Sequence, residues 1–149
     1  MWRLGIDTII GKDGKGAILT LTERKTGCLL MEKLVSGKQA VPRSKVAVRL
    51  LYPYKENVHT ITADNGTEFD EHEFIAKKLK ADFYFAHPYS SWERGLQEYT
   101  NGLSRQYVIK GTDLHLYTDE FIKSACYKFI YLLLFYLYFG TVFVFYLYR

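Results

Sequence analysis

The sequence predicts an α/β domain: a mixed five-stranded sheet with helices on its faces. Three observations predict it. The first third of the chain consists of short apolar or β-branched runs broken by glycine-containing turns. The following stretch alternates helix-like and strand-like periods, giving the order βββ-α-β-α-β-α. The length, 149 residues, suits one domain with a sizeable core and is short for two.

The first strand carries Ile6, Ile9 and Ile10, with Asp7 among them. "GKDGKG" then reads as a hairpin turn, being too short for a phosphate-binding loop. "GAILTLTE" and "GCLLMEKL" are the second and third strands, separated by "RKTG". Strands joined by such short connections must reverse direction, so this part is an antiparallel meander. A helix follows within "SGKQAVPRSKVAVRLLYPYKE", with Pro42 in its first turn, where a missing N–H does no harm. "VHTITAD" is the fourth strand and runs into the turn dipeptide Asn65-Gly66. The next helix is expected to be capped by Asp70 with Glu73 closing a capping box, and to bury Phe74, Ile75 and Leu79. "ADFYFAH" is the fifth strand, stopped by Pro88. A last helix over "SSWERGLQEYTNGLSRQY" is expected to be capped by Ser91. Its apolar stripe would be Trp92, Leu96, Tyr99, Leu103 and Tyr107.

The formal charge of +4 is compatible with a polyanionic partner without establishing one. Cys28 and Cys126 stand far apart without a CxxC, which argues against a disulfide framework or a zinc site and for small buried hydrophobes. His59, His72, His87 and His115 show no metal-ligand spacing. No signal peptide opens the chain. Residues 125–149 differ from the rest: they hold 11 of the 25 aromatic residues and only two charges, Lys128 and Arg149. The chain therefore divides into a domain over 1–124 and an aromatic tail over 125–149.

An aspartate inside an apolar strand is costly to bury without a partner. In a sheet of this order the first and fourth strands can be neighbours, bringing Asp7 beside Asp64. Two close anions repel unless a cation holds them, and ligands that offer only oxygen favour Mg²⁺ or Mn²⁺. Glu98, on the last helix, is the natural third ligand. Each residue also has an ordinary reading, as a salt-bridged strand aspartate or a solvated helix glutamate. Glu93 is a weaker alternative, since an acid near a helix start is favoured by the dipole alone.

At these residues the sequence resembles the catalytic core of bacterial transposases of the insertion sequence 30 family, within the integrase-like, ribonuclease-H-like superfamily. The resemblance covers about residues 5 to 120. It rests on "DTIIGKDGKGAILTLTERKTG", "TITADNGTEF" and "ADFYFAHPYSSWERGLQEYTNGLSRQYVIKGTD", in the family's order. It implies that Asp7, Asp64 and Glu98 are catalytic and bind Mg²⁺ or Mn²⁺. It also implies cleavage of DNA at element ends followed by strand transfer, in a homo-oligomer of the bacterial cytoplasm. Lys38, Arg43, Lys45, Arg49, Arg94, Arg105 and Lys110 become expected phosphate contacts, each with a solvated surface role as its alternative.

The chain also departs from the family pattern. The family carries a helix-turn-helix region ahead of the core, whereas here Asp7 follows almost at once. Gln97 and Tyr99 flank Glu98 where asparagines are usual. After "TDE" the family continues with a polar, basic helix, but here Phe129 to Tyr148 is 20 residues without a charge. That length meets the ~20 residues of a membrane span. A shifted reading frame is the favoured explanation, with a membrane anchor as the alternative. An incomplete enzyme is therefore expected, the other readings being an inactive DNA-binding remnant and a small single-span membrane protein.

Overall fold

The computed structural model describes residues 1–34, 40–64, 69–87, 95–109 and 111–147. Five strands form one sheet: β1 (Trp2–Ile10), β2 (Ala17–Glu23), β3 (Leu29–Leu34), β4 (Val58–Ala63) and β5 (Asp82–Phe85). Their spatial order is β3-β2-β1-β4-β5. The β1–β2 and β2–β3 pairs are antiparallel, and the β1–β4 and β4–β5 pairs are parallel. The parallel pairs are reached by crossovers through α1 (Ala40–Leu51) and α2 (His72–Leu79). Helices α3 (Gly95–Ser104) and α4 (Asp119–Leu147) complete the order.

Alternation along β1 and β2 splits the sheet into two unlike faces. Leu4, Ile6, Leu19 and Leu21 point into a core shared with Ala47 and Leu51 of α1 and with Ile75 and Leu79 of α2. Ile9 and Ile18 point the other way, into a second core with Leu29 and Met31 of β3, Val108, Leu114 and Phe129. Between Ile9 and the start of β1, this second face turns polar: Asp7 stands opposite Thr20, and Gly5 opposite Thr22. Helix α3 packs on β1 and β2 over that polar strip.

The β1–β2 connection is closed over by Leu114. A Cβ on Gly11 would fall 2.2 Å from the Lys15 carbonyl oxygen, so the turn admits no side chain there. In β2, Glu23 organises the next turn. Its carboxylate accepts bonds from the Thr26 hydroxyl at 2.7 Å and from the N–H groups of Thr26 and Lys25 at 2.6 and 3.0 Å. Burial pushes the Glu23 carboxyl up, but the bonds from Thr26, Lys25 and Arg3 together outweigh that and hold it below its ordinary value.

Several local expectations are corrected. Asp70 and Glu73 form no capping box: α2 begins at His72 behind Glu71, with no side-chain cap. Glu71 instead accepts a hydrogen bond from the Ser44 hydroxyl at 2.6 Å, tying α2 to α1. Phe74 is 38% exposed, so the inner face of α2 is Ile75 and Leu79 alone. The Ser91 cap and Trp92 lie outside the described residues. Leu103 and Tyr107 of the expected stripe pack against the second core, but Tyr99 is 64% exposed, and Thr100, Asn101 and Ser104 are buried beside them.

The expected boundary between residues 124 and 125 falls inside α4. Ile122, Ala125, Cys126 and Phe129 follow an i, i+3, i+4, i+7 spacing and are all buried in the second core. Large side chains such as Ile122 and Phe129 contribute about 1.5–3 kcal/mol each on full burial. Cys126 packs against β3, its sulfur accepting the Met31 N–H at 3.1 Å. Burial pushes its thiol up to about 11. On the outer side, Phe121, Tyr127, Tyr131, Leu134 and Phe135 are exposed. Among the described residues no helix is long and apolar enough to cross a membrane.

Candidate active site

The β1–β4 ladder is the frame of the site. Its last paired residues are Gly5 and Thr62. Two residues further along each strand stand Asp7 and Asp64. Parallel neighbours lie about 4.8 Å apart, so the two carboxylates leave adjoining positions at the same end of the sheet. β4 itself stops at Ala63, so Asp64 is the first residue past the strand and is exposed. Asp7 remains within β1 and is half-buried.

Asp7 is held on both oxygens. Oδ1 accepts the Thr8 N–H at 2.8 Å, and Oδ2 accepts the Asn101 side-chain N–H at 2.9 Å. The Thr20 hydroxyl donates to the Asp7 carbonyl at 3.3 Å, fixing the strand beneath it. Asn101 belongs to α3 and is buried, as is Ser104, whose hydroxyl donates to the Asn101 carbonyl at 2.8 Å. Glu98 lies three residues before Asn101, one turn nearer the start of α3 and on the flank of its buried face. It is exposed.

The structure thus sets Asp64 just past the end of β4, neighbouring the stretch of β1 that carries Asp7, and puts Glu98 one helical turn from a residue bonded to Asp7. Among the described residues, no three acidic, histidine or cysteine side chains converge closely enough to hold one ion. By its chemistry a donor set of two aspartates and a longer glutamate suits a divalent cation that takes oxygen ligands. Asp7 and Asp64 would hold such an ion, with Glu98 as the third donor.

The expected phosphate contacts divide. Lys45, Arg49 and Arg105 are exposed. Arg49 is already paired with Glu32. Arg43 is corrected: at 1% exposure it faces the interior beneath α1 and presents no group to a DNA backbone. Lys38, Arg94 and Lys110, like the alternative Glu93, lie outside the described residues. The histidines take ordinary roles where their partners are described, as with His72, which lies against the rings of Phe83 and Phe85.

Asn101 was not among the residues that spacing singled out. A signal exists for it: Thr100, Asn101 and Ser104 fall at i, i+1 and i+4, three small or medium uncharged polar residues on one side of the helix. All three are buried, and Asp7, Thr20 and Thr22 supply polar groups on the sheet face that α3 covers.

Comparison with known proteins agrees with this frame. The chain is 57% identical over 120 residues to the transposase for insertion sequence element IS4351 of Bacteroides fragilis, covering 80% of this chain and 36% of that protein. It is 43% identical over 112 residues to a probable transposase for insertion-like sequence element IS1161 of Streptococcus salivarius, covering 73% and 31%. Transposase InsI for insertion sequence element IS30A of Escherichia coli is 35% identical over 104 residues, covering 69% and 27%. The chain therefore spans about a third of the length of the curated relatives it matches. No family model matches. Among solved structures, the catalytic core domain of BIV integrase superposes with a TM-score of 0.61 at 18% identity, covering 83% of this chain and 80% of that one. The mixed five-stranded sheet flanked by helices is the ribonuclease-H-like fold of integrase catalytic cores.

Proposed function

We propose that this chain belongs to the transposase and integrase catalytic-core superfamily and is a DNA transposase core of the three-carboxylate type, of the insertion sequence 30 family. The observation that carries the proposal is that Asp7 and Asp64 each stand two residues beyond Gly5 and Thr62, the last paired residues of the parallel β1–β4 ladder, Asp7 still within β1 and Asp64 just past β4. Identity to three insertion-sequence transposases supports it.

In this reading Asp7, Asp64 and Glu98 hold Mg²⁺ or Mn²⁺. Such ions, when bound, would activate the attacking oxygen and stabilise the leaving oxygen of a phosphodiester. The chain's own residues do the placing. β1 and β4 present two carboxylates from a rigid ladder, and α3 brings the third from one side. Lys45 and Arg105, with Lys38, Arg94 and Lys110, would contact DNA phosphates, which set position without reading sequence. Arg49 would first have to leave Glu32. The substrates are element ends and target DNA, the working assembly a homo-oligomer and the compartment the cytoplasm. The test is a Mg²⁺ titration by calorimetry on the wild type and on Asp64→Asn, beside a nicking and strand-transfer assay on labelled element-end DNA. Weaker binding in the variant is expected; equal affinity removes the site assignment.

A second reading concerns α4. Phe129 to Tyr148 carries no charge, and Tyr131, Leu134 and Phe135 are exposed on its outer side. A membrane-associated product would stay with membranes through an alkaline wash; recovery in the supernatant removes that reading.

A further inference from the structure

We infer that Asn101 is a positioning residue of this site, holding the Asp7 carboxylate in the orientation that a divalent cation requires. The inference rests on the metal-binding reading of Asp7 and Asp64 given above. Three observations carry it.

First, the Asn101 amide is a tertiary contact that holds Asp7 Oδ2, at 2.9 Å, while the other oxygen is held locally by the Thr8 N–H. A carboxylate held on one oxygen alone can still swing about its Cβ–Cγ bond. Held on both, it is preorganised for a cation beside Asp64, and carboxylates that ligate metals are themselves held by hydrogen bonds in this way.

Second, Asn101 is confined by its surroundings. It is only 9% exposed, and the helix turn that carries it is tied at its backbone carbonyl by the fully buried Ser104 hydroxyl. An amide this well buried donates to a carboxylate at little further entropic cost, as a surface asparagine could not.

Third, the bond ties two ligand-bearing elements together. α3 carries Glu98 one turn from Asn101 and meets the sheet over a polar strip, with Leu103 packed against the second core beside it. The Asn101–Asp7 bond adds a directional tie to that packing, and so helps set where Glu98 stands relative to the aspartates.

The test measures Mn²⁺ and Mg²⁺ affinity of the full 149-residue chain by calorimetry, together with melting temperature. Five proteins are compared: wild type, Asn101→Ala, Asn101→Ser, Ser104→Ala and Asp64→Asn. Asn101→Ala is expected to weaken metal binding about 10- to 100-fold, the usual effect of removing a partner that orients a ligand. Asn101→Ser serves the same purpose if the alanine variant does not fold. Ser104→Ala removes a buried bond of the same helix face without touching Asp7, and is expected to lower the melting temperature while leaving metal affinity within about twofold. Wild-type affinity in the Asn101 variants overturns the inference, as does an equal loss in Ser104→Ala, which would make the role structural. Unchanged affinity in Asp64→Asn would instead overturn the metal reading itself, so the two failures are told apart.

Discussion

The two faces of the sheet are made from the same strands and do opposite work. Under α1 and α2, β1 and β2 present Leu4, Ile6, Leu19 and Leu21, all at most 2% exposed and packed against aliphatic side chains. Under α3, the same two strands present Asp7, Thr20 and Thr22, met by Thr100, Asn101 and Ser104. Apolar burial stabilises by the area removed from water and tolerates small shifts. A buried polar layer stabilises little in net terms, yet holds its groups in defined directions. One face keeps the domain folded, and the other aims carboxylates. The contrast teaches where to expect stability effects and where to expect effects on metal binding alone.

The largest stability effect belongs to the apolar face. Leu19 is fully buried there, and Leu19→Ala should cost about 2–5 kcal/mol through lost transfer energy and the cavity left behind. Urea denaturation checks it. A cost under about 1 kcal/mol would mean that this face is not the one that holds the fold.

On the other face, the expected effect appears only with metal. At a Mg²⁺ concentration about 100 times its dissociation constant, binding should add about 2.7 kcal/mol to stability. Asp64→Asn should abolish that increment, read as the loss of the Mg²⁺-induced rise in melting temperature. If wild type and variant rise alike, the polar face is not a metal site and the contrast loses its functional half.

Glu23 tests whether a buried polar group elsewhere in the sheet behaves differently because it is well bonded. Glu23→Gln should cost about 1–2 kcal/mol at pH 7, since hydrogen bonds to a charged acceptor are lost. The folded-state pKa of Glu23 lies below the ordinary value of 4.5. Its stabilisation is therefore fully present above about that pH and is lost as pH falls through the lowered folded value. The gap between wild type and variant should close in acid. A gap that is constant from pH 7 to pH 3 would show that the charge plays no part.

Much of this was legible in the sequence, and the exceptions share a cause. The meander and the placement of Asp7 within β1 followed from alternation and turn residues, which are local, while the element order allowed the β1–β4 adjacency without requiring it. Asn101 and Arg43 were not legible, because their burial depends on what lies beneath the helix. For α3, Leu103 and Tyr107 of the expected stripe pack against the second core, but Tyr99 is exposed, and the polar strip on the sheet takes Thr100, Asn101 and Ser104 beneath the helix. The start of α4 erred the other way. Ile122, Ala125, Cys126 and Phe129 had core spacing, but the aromatic composition after them made the segment read as an appendage.

The smallest effect is also the sharpest test of the contrast. Thr22 is 1% exposed, lies on the polar face opposite Gly5 and Leu29, and its hydroxyl has no hydrogen-bond partner among the described residues. A buried hydroxyl without a partner costs about 1–3 kcal/mol relative to water. Valine keeps the β-branched shape suited to a strand and removes that cost. Thr22→Val should therefore raise stability by about 1 kcal/mol, near the low end because strand relaxation recovers part of the cost in the wild type. For a domain of this size that is a rise of about 3 °C in melting temperature. The same change should leave Mg²⁺ affinity untouched, since Thr22 does not bond Asp7. A fall in stability instead would mean that the Thr22 hydroxyl is bonded in solution. The polar layer would then be a stabilising network in its own right, and the division of labour between the two faces would not hold.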